Sequence, residues 1–192
     1  MVKILATFLL CCLTLFPIAS TTEAARVLAQ HGSRGEAVEQ IQAMLMELRL
    51  YDQVVDGEYG DGTTAAVKTF QRKMRRAQSG KVDTALFLLL SRKSGLDFRE
   101  FKHVKVMHAS AYSPHDPGVN RHTSTGARLS KGVVAVDPRV IPLGSKLYII
   151  GYGFGTAADT GGFIKGNVID IAFNSRHEAL HWGRKNVKVY FM

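Results

Sequence analysis

The sequence predicts an α+β protein in two domains, a small three-helix bundle followed by a compact six-stranded β-barrel. Three observations carry that prediction. Apolar residues recur at helical spacing up to about residue 95 and alternate beyond about residue 104. Six short β-rich runs in the second half are separated by Pro and Gly turns. The connector, Leu96-Asp97-Phe98-Arg99-Glu100-Phe101, is neither Gly/Ser-rich nor Pro-rich and reads as a short, firm junction. The expected division is 1–25 leader, 28–95 helical domain, 96–103 linker and 104–192 barrel.

The leader comes first. Lys3 gives a basic start, Ile4 to Phe16 is an apolar run short of a bilayer span, and Pro17 to Ala25 turns small and polar. Such a segment reads as a secretory signal peptide cleaved after Ala24 or Ala25, with an uncleaved membrane anchor as the other reading. Cys11 and Cys12 lie inside it, so the mature chain has no cysteine and rests on its cores without disulfides. Cysteine-based nucleophile or metal chemistry is thereby excluded. About 165 residues remain, enough for one mid-sized or two small domains.

With 46% hydrophobic and 21% charged residues the chain is globular rather than disordered. Its formal charge of +9 implies attraction to a polyanion, or else a basic surface kept for solubility. The export signal points to anionic envelope polymers and not to nucleic acid.

In the helical part, Ser33-Arg34-Gly35-Glu36 has the arrangement of a capping box, and Val38, Ile41, Leu45 and Leu48 follow at helical spacing. Asp56 to Asp61 is a turn-rich loop. Asp61 or Thr63 is expected to cap a second helix bearing Ala66, Val67, Phe70 and Met74, and Asp83 a third over Ala85 to Leu90. These motifs carry a resemblance. Gly32 to Val38, Ile41-Gln42, Val55 to Gly60 and Thr64 to Gln71 resemble, in order, the peptidoglycan-binding module of bacterial wall enzymes. One departure is Gln78-Ser79-Gly80-Lys81-Val82-Asp83, where the family has a second Asp-Gly turn. A generic bundle that only positions its neighbour is the alternative.

In the second half the expected strands are Val104 to Tyr112, Val133 to Asp137, Lys146 to Ile150, Thr156 to Asp159, Val168 to Phe173 and Val187 to Phe191. Only Ser175 to Trp182 reads as helix. Asp159 and Asp170 stand eleven residues apart. Alternation puts Ile169, Ile171 and Phe173 on one face and Asp170 on the other, toward a groove. Apolar neighbours would raise the pKa of Asp170, as a general acid requires. One protonated carboxyl near a second carboxylate is the minimal kit for cleaving a glycosidic bond.

Ala111-Tyr112-Ser113, Thr123 to Gly126, Gly132 to Pro138, Ile141 to Gly144, Gly151 to Gly153, the Asp159–Asp170 stretch and Ser175 to Ala179 resemble the 3D domain of stationary-phase survival proteins. They are also similar to the barrel of the membrane-bound lytic transglycosylase A family. The resemblance implies a double-psi β-barrel that cleaves the glycan strands of peptidoglycan as a lytic transglycosylase. It makes Asp170 the catalytic acid/base, Asp159 the partner carboxylate that would raise the pKa of Asp170, and Asp137 the third aspartate. Asp137 would either brace the site or accept a hydrogen bond from it.

Sugar contacts are expected from Tyr112 by stacking, from Thr123, Thr125 and the free amide of Gly126, from Gly161 and Gly162 by close backbone approach, and from Lys165. No cofactor is implied, because acid/base chemistry suffices, and the protein is expected to act as a monomer in the periplasm, or in the cell wall and the exterior. Two rivals stand beside this reading. His177-Glu178-Ala179-Leu180-His181 fits the zinc-peptidase pattern, but no third ligand follows it and only an upstream His115 or His122 would serve, so no metal site is expected. The other rival is a non-catalytic wall binder on the same barrel.

Overall fold

The computed structural model describes residues 26–192. The expected signal peptide and its two cysteines lie outside the described residues. The helical part contains β1 (Val27–Ala29), α1 (Glu36–Glu47), α2 (Asp61–Lys73), β2 (Val82–Asp83) and α3 (Thr84–Ser94). The stripe Val38, Ile41, Met44 and Leu45 of α1 meets Val67 and Phe70 of α2 and Leu86 and Leu90 of α3 in one buried cluster. Two buried glutamines hold the loops around it. Gln42 accepts from the amides of Asp56 and Gly57 and faces the carbonyl of Glu58. Gln71 accepts from the amide of Gly80 and donates to the carbonyl of Lys81. An amide that both donates and accepts satisfies a buried turn that has no ladder partner.

Two of the expected caps are not made. Ser33 Oγ accepts from Gln30 N at 3.0 Å instead of capping α1, whose N-cap is Gly35 at φ 106°. The reason is tertiary: the amide of Gly35 bonds Gly57 O and the amide of Tyr59 bonds Ser33 O, so this segment pairs with the distant loop. The N-cap of α2 is Gly60, with Asp61 already helical, and the hydroxyl of Thr63 is buried against Gln42 Nε2. The cap on α3 forms as expected, with Leu86 N donating to Asp83 at 2.7 Å. The small antiparallel pair of β1 and β2 was not anticipated.

The second half contains β3 (His103–Tyr112), β4 (Val133–Ala135), β5 (Lys146–Ile149), β6 (Gly153–Asp159), β7 (Val168–Ala172), α4 (Arg176–Trp182) and β8 (Lys185–Phe191). The strands close into a six-stranded barrel in the order β3-β7-β4-β6-β5-β8. The β3/β7 and β4/β6 pairs are parallel and the others antiparallel, so the barrel is mixed and its connections cross over. All six expected strands form. β6 starts earlier than expected, at Gly153, because it continues the hairpin with β5. Met107, Val134, Leu147, Ile149, Ala157, Ile169, Ile171 and Val189 fill the interior. α4 carries a full capping box between Ser175 and Glu178.

The halves are packed together. Leu96 is buried, and the short 3-10 turn Phe98–Glu100 sets the Phe98 ring edge-on to Tyr148 and Tyr190 of the barrel, with centroids 5.7 and 4.8 Å apart. Tyr148 and Tyr190 donate their hydroxyls to Glu47 and Glu36 of α1, and Lys188 pairs with Glu39.

Candidate active site

Asp170 lies in the middle of β7 between the fully buried Ile169 and Ile171. Those neighbours point into the barrel, so Asp170 faces outward, as alternation requires. The parallel register sets Asp170 opposite Ser110 on β3, and Ser110 Oγ donates to Asp170 Oδ1 at 2.9 Å. Burial raises the pKa of Asp170 above the ordinary carboxylate value. The Ser110 hydroxyl, the amide of Ile171 and the Arg184 cation pull it back, and Asp116 pushes it up. Asp159, expected to be the raising neighbour, is not among these leading influences.

Asp159 reaches the same face through an irregularity. Ala135 of β4 is the register partner of Asp170 on one side and of Asp159 on the other. Between Val134 and Ala135 the pairing with β6 slips, so that Ala157 points inward and Asp159 still comes level with Ala135. Such a bulge re-aims one side chain without breaking the sheet. The two aspartates thus flank one small residue, two strand spacings apart, about 9.5 Å between their Cα atoms. Asp159 accepts from the Tyr112 hydroxyl at 3.1 Å and from the amides of Ser124 and Thr160, each at 2.8 Å. Tyr112, its own pKa raised by burial and by Asp159, also feels Asp170.

The segment joining β3 to β4 lies against Asp159 and is packed on the barrel through Leu129, which meets Val133 and Ala172. Within it Thr123 and Thr125 share a hydrogen bond at 3.0 Å, and Thr125 Oγ1 donates to Ala158 O. The amide of Gly126 is not free, as the sequence suggested, but closes the turn onto Thr123 O at 2.9 Å. Its φ of 82° is what this turn demands of a glycine. Gly161 closes a turn with the amide of Ile164, whose side chain lies where a β-carbon would stand. Gly162 borders open space, and Lys165 is exposed on the same loop.

Asp137 is 3% exposed and braces the structure. Arg139 forks it through Nε and Nη2 at 3.0 and 2.7 Å, and the amide of Gly166 donates to it at 2.8 Å. These bonds hold its carboxyl well below the usual carboxylate range. They also tie the end of the β6–β7 loop, and so the start of β7, to β4.

Sequence reasoning missed Ser110, Arg139, Asp116 and Arg184. Alternation from Tyr112 would have put Ser110 on the site's face. Nothing local marks the others.

The histidine motif sits on α4, apart from these carboxyls. Glu178 spends its carboxylate on the Ser175 cap. No group of three or more His, Cys, Asp or Glu among the described residues is arranged to hold a metal ion. A larger groove, about 770 Å³, runs between the two halves past Val54, Trp182, His177 and His181. Neither Asp159 nor Asp170 lines it.

Each half of the chain matches a family model. Residues 34–90 match the family model of the peptidoglycan binding domain, and residues 132–192 match that of the 3D domain. The chain carries one module of each kind. Its relatives include the "Cell wall-binding protein YocH" of Bacillus subtilis (strain 168), 54% identical over 85 residues, or 42% of this chain and 30% of that protein. The chain spans between 22% and 39% of the length of the curated relatives it matches. Among solved structures, the SleB N-terminal domain aligns at 30% identity over 37% of this chain and 96% of its own, with a TM-score of 0.35. MltA from E. coli aligns at 24% identity over 40% of this chain and 28% of its own, with a TM-score of 0.33.

Proposed function

We propose that this protein is exported to the bacterial wall and cleaves peptidoglycan glycan strands as a lytic transglycosylase, with residues 28–95 as its wall-binding domain and 104–192 as its catalytic barrel. The observation that carries the reading is Asp170, a carboxyl held toward protonation by burial, on the outward face of β7 and level with a second carboxyl across Ala135. The matches to a peptidoglycan binding domain and a 3D domain support the substrate class, as does a relative named for binding the cell wall.

In this reading Asp170 donates its proton to the oxygen between N-acetylmuramic acid and N-acetylglucosamine as the bond to C1 breaks. The leaving sugar departs with that proton on its O4. The ionised Asp170 then takes the proton of the muramic C6 hydroxyl, whose oxygen closes on C1 to leave a 1,6-anhydro end. No water is consumed. Asp159, fixed by Tyr112, Ser124 and Thr160, offsets the positive charge that develops at C1. Asp137 acts at one remove, by holding the loop that carries Lys165 and Gly166. The helical domain raises the effective concentration of glycan at the barrel.

The test is mass spectrometry of fragments that the protein releases from purified sacculi, alongside Asp170→Asn and a chelator-treated sample. Anhydro-muropeptides that vanish with Asp170→Asn and survive chelation are the expected result. Reducing ends would mean hydrolysis at the same site, and cleaved stems lost on chelation would mean zinc chemistry at α4. No release at all would leave a wall-binding protein.

A further inference from the structure

Beside Ser110 the barrel wall opens into a groove of about 490 Å³, bounded by β3, the β6–β7 loop and the start of β8. Two side chains on its rim have no part in holding the fold. Arg184 is exposed just before β8 and forms no ion pair among the described residues. Phe163, on the β6–β7 loop, is 97% exposed. One exposed aromatic alone means little. Here it shares a concave surface with a free guanidinium, His108 and Asn186, a set of donors beside an apolar face.

The groove also communicates with the candidate acid. Ser110 lines it and donates to Asp170, and the Arg184 cation favours the ionised form of Asp170. An anion seated on Arg184 would cancel that pull and leave Asp170 a better-protonated acid.

We propose that this groove is a subsite for a carboxylate carried on the glycan strand, with Arg184 as its anchor and Phe163 over the apolar part of the same substituent. The inference rests on the glycan-cleaving reading above and names the group that the site selects. A guanidinium suits the role because it meets a carboxylate with two parallel hydrogen bonds. Peptidoglycan offers such a group in two places: the lactyl ether of muramic acid when bare, and the acids of the peptide stem when the lactyl carboxyl is amidated.

The experiment measures Kd for the full chain carrying Asp170→Asn, so that no strand is cut. The probes are stem-bearing glycan strands, the same strands stripped by an amidase, and a chitooligosaccharide of equal length, which has no carboxylate. At least one peptidoglycan probe is expected to bind about tenfold tighter than the chitooligosaccharide, as one charge-assisted pair provides. Adding Arg184→Gln is expected to lower that ratio severalfold, to what the helical domain alone contributes, and Arg184→Lys to restore part of it. Tighter binding of stem-bearing strands alone assigns the stem acids, and of stripped strands alone the lactyl group. Phe163→Ala, at a position too exposed to unfold the barrel, lowers the same ratio.

Equal Kd for all three probes, no binding of any, or a ratio untouched by both Arg184→Gln and Phe163→Ala overturns the subsite. Release of anhydro-muropeptides by the unmutated chain answers the separate question. Release with a ratio that ignores Arg184→Gln removes the subsite and leaves cleavage standing, whereas a ratio that depends on Arg184 without release does the reverse.

Discussion

Burial raises the proton affinity of Asp170, while Ser110 Oγ, the amide of Ile171 and Arg184 oppose it. A general acid must hold its proton, so cleavage is expected to fall as pH rises through the pKa of Asp170. Ser110→Ala removes a hydrogen bond that favours the ionised form, so a pH–rate profile should show the alkaline limb displaced upward. An unmoved limb would remove Ser110 from the site. The same shift has a cost in stability. Between the ordinary carboxylate value and the raised one, the native state binds more protons than the unfolded state, so stability declines as pH rises through that window. Asp170→Asn carries no such loss. The variant should be inactive yet, at neutral pH, at least as resistant to urea as the parent. Asp137 has the opposite sign: its contribution is present above the ordinary carboxylate value and lost as pH falls through its depressed one.

The β6–β7 connection shows how a strand pair is kept in position around a site. Asp137 and Arg139 hold one end of the loop, and Gly161 folds the other against Ile164, where an added β-carbon would stand 2.9 Å from Cγ1. Gly161→Ala is expected to destabilise the protein by about 1–3 kcal/mol, the usual cost of overpacking, measured by urea denaturation. Unchanged stability would mean that Ile164 turns aside freely. On α4 the Ser175 cap predicts a loss of about 1 kcal/mol for Ser175→Ala, without effect on glycan release. A zinc site built on Glu178 would instead respond in activity.

The two halves share buried surface. Phe98 and Phe101 of the connector pack on the helical core together with Tyr148 and Tyr190 of the barrel. The acidic first turn of α1 meets the barrel at Lys188 and Tyr190. This coupling predicts a single unfolding transition in calorimetry. Phe98→Ala, which removes a half-buried ring at a cost of about 2 kcal/mol, should separate it into two. Two transitions in the parent would show that the contact is too weak to couple them.

What was legible in the chain was local. Alternation in Val168 to Phe173 turned Asp170 outward, helical spacing marked the α1 stripe, and the Asp83 and Ser175 caps needed only their own next few residues. The barrel, too, followed from runs and turns read one at a time. What only tertiary structure decided was pairing. Ala135 meets Asp159 and Asp170 from strands distant in sequence, and a register slip on β6 brings Asp159 level with Asp170. Ser33 gave up its cap because the chain around it pairs with Tyr59. Arg184 gained its place beside Asp170 only when β8 closed the barrel. Side-chain direction within a strand is a property of a few bonds, whereas register between strands depends on which distant surfaces bury each other best. The sequence therefore determined which groups were available and how each element faced, and the closed barrel decided which of them meet.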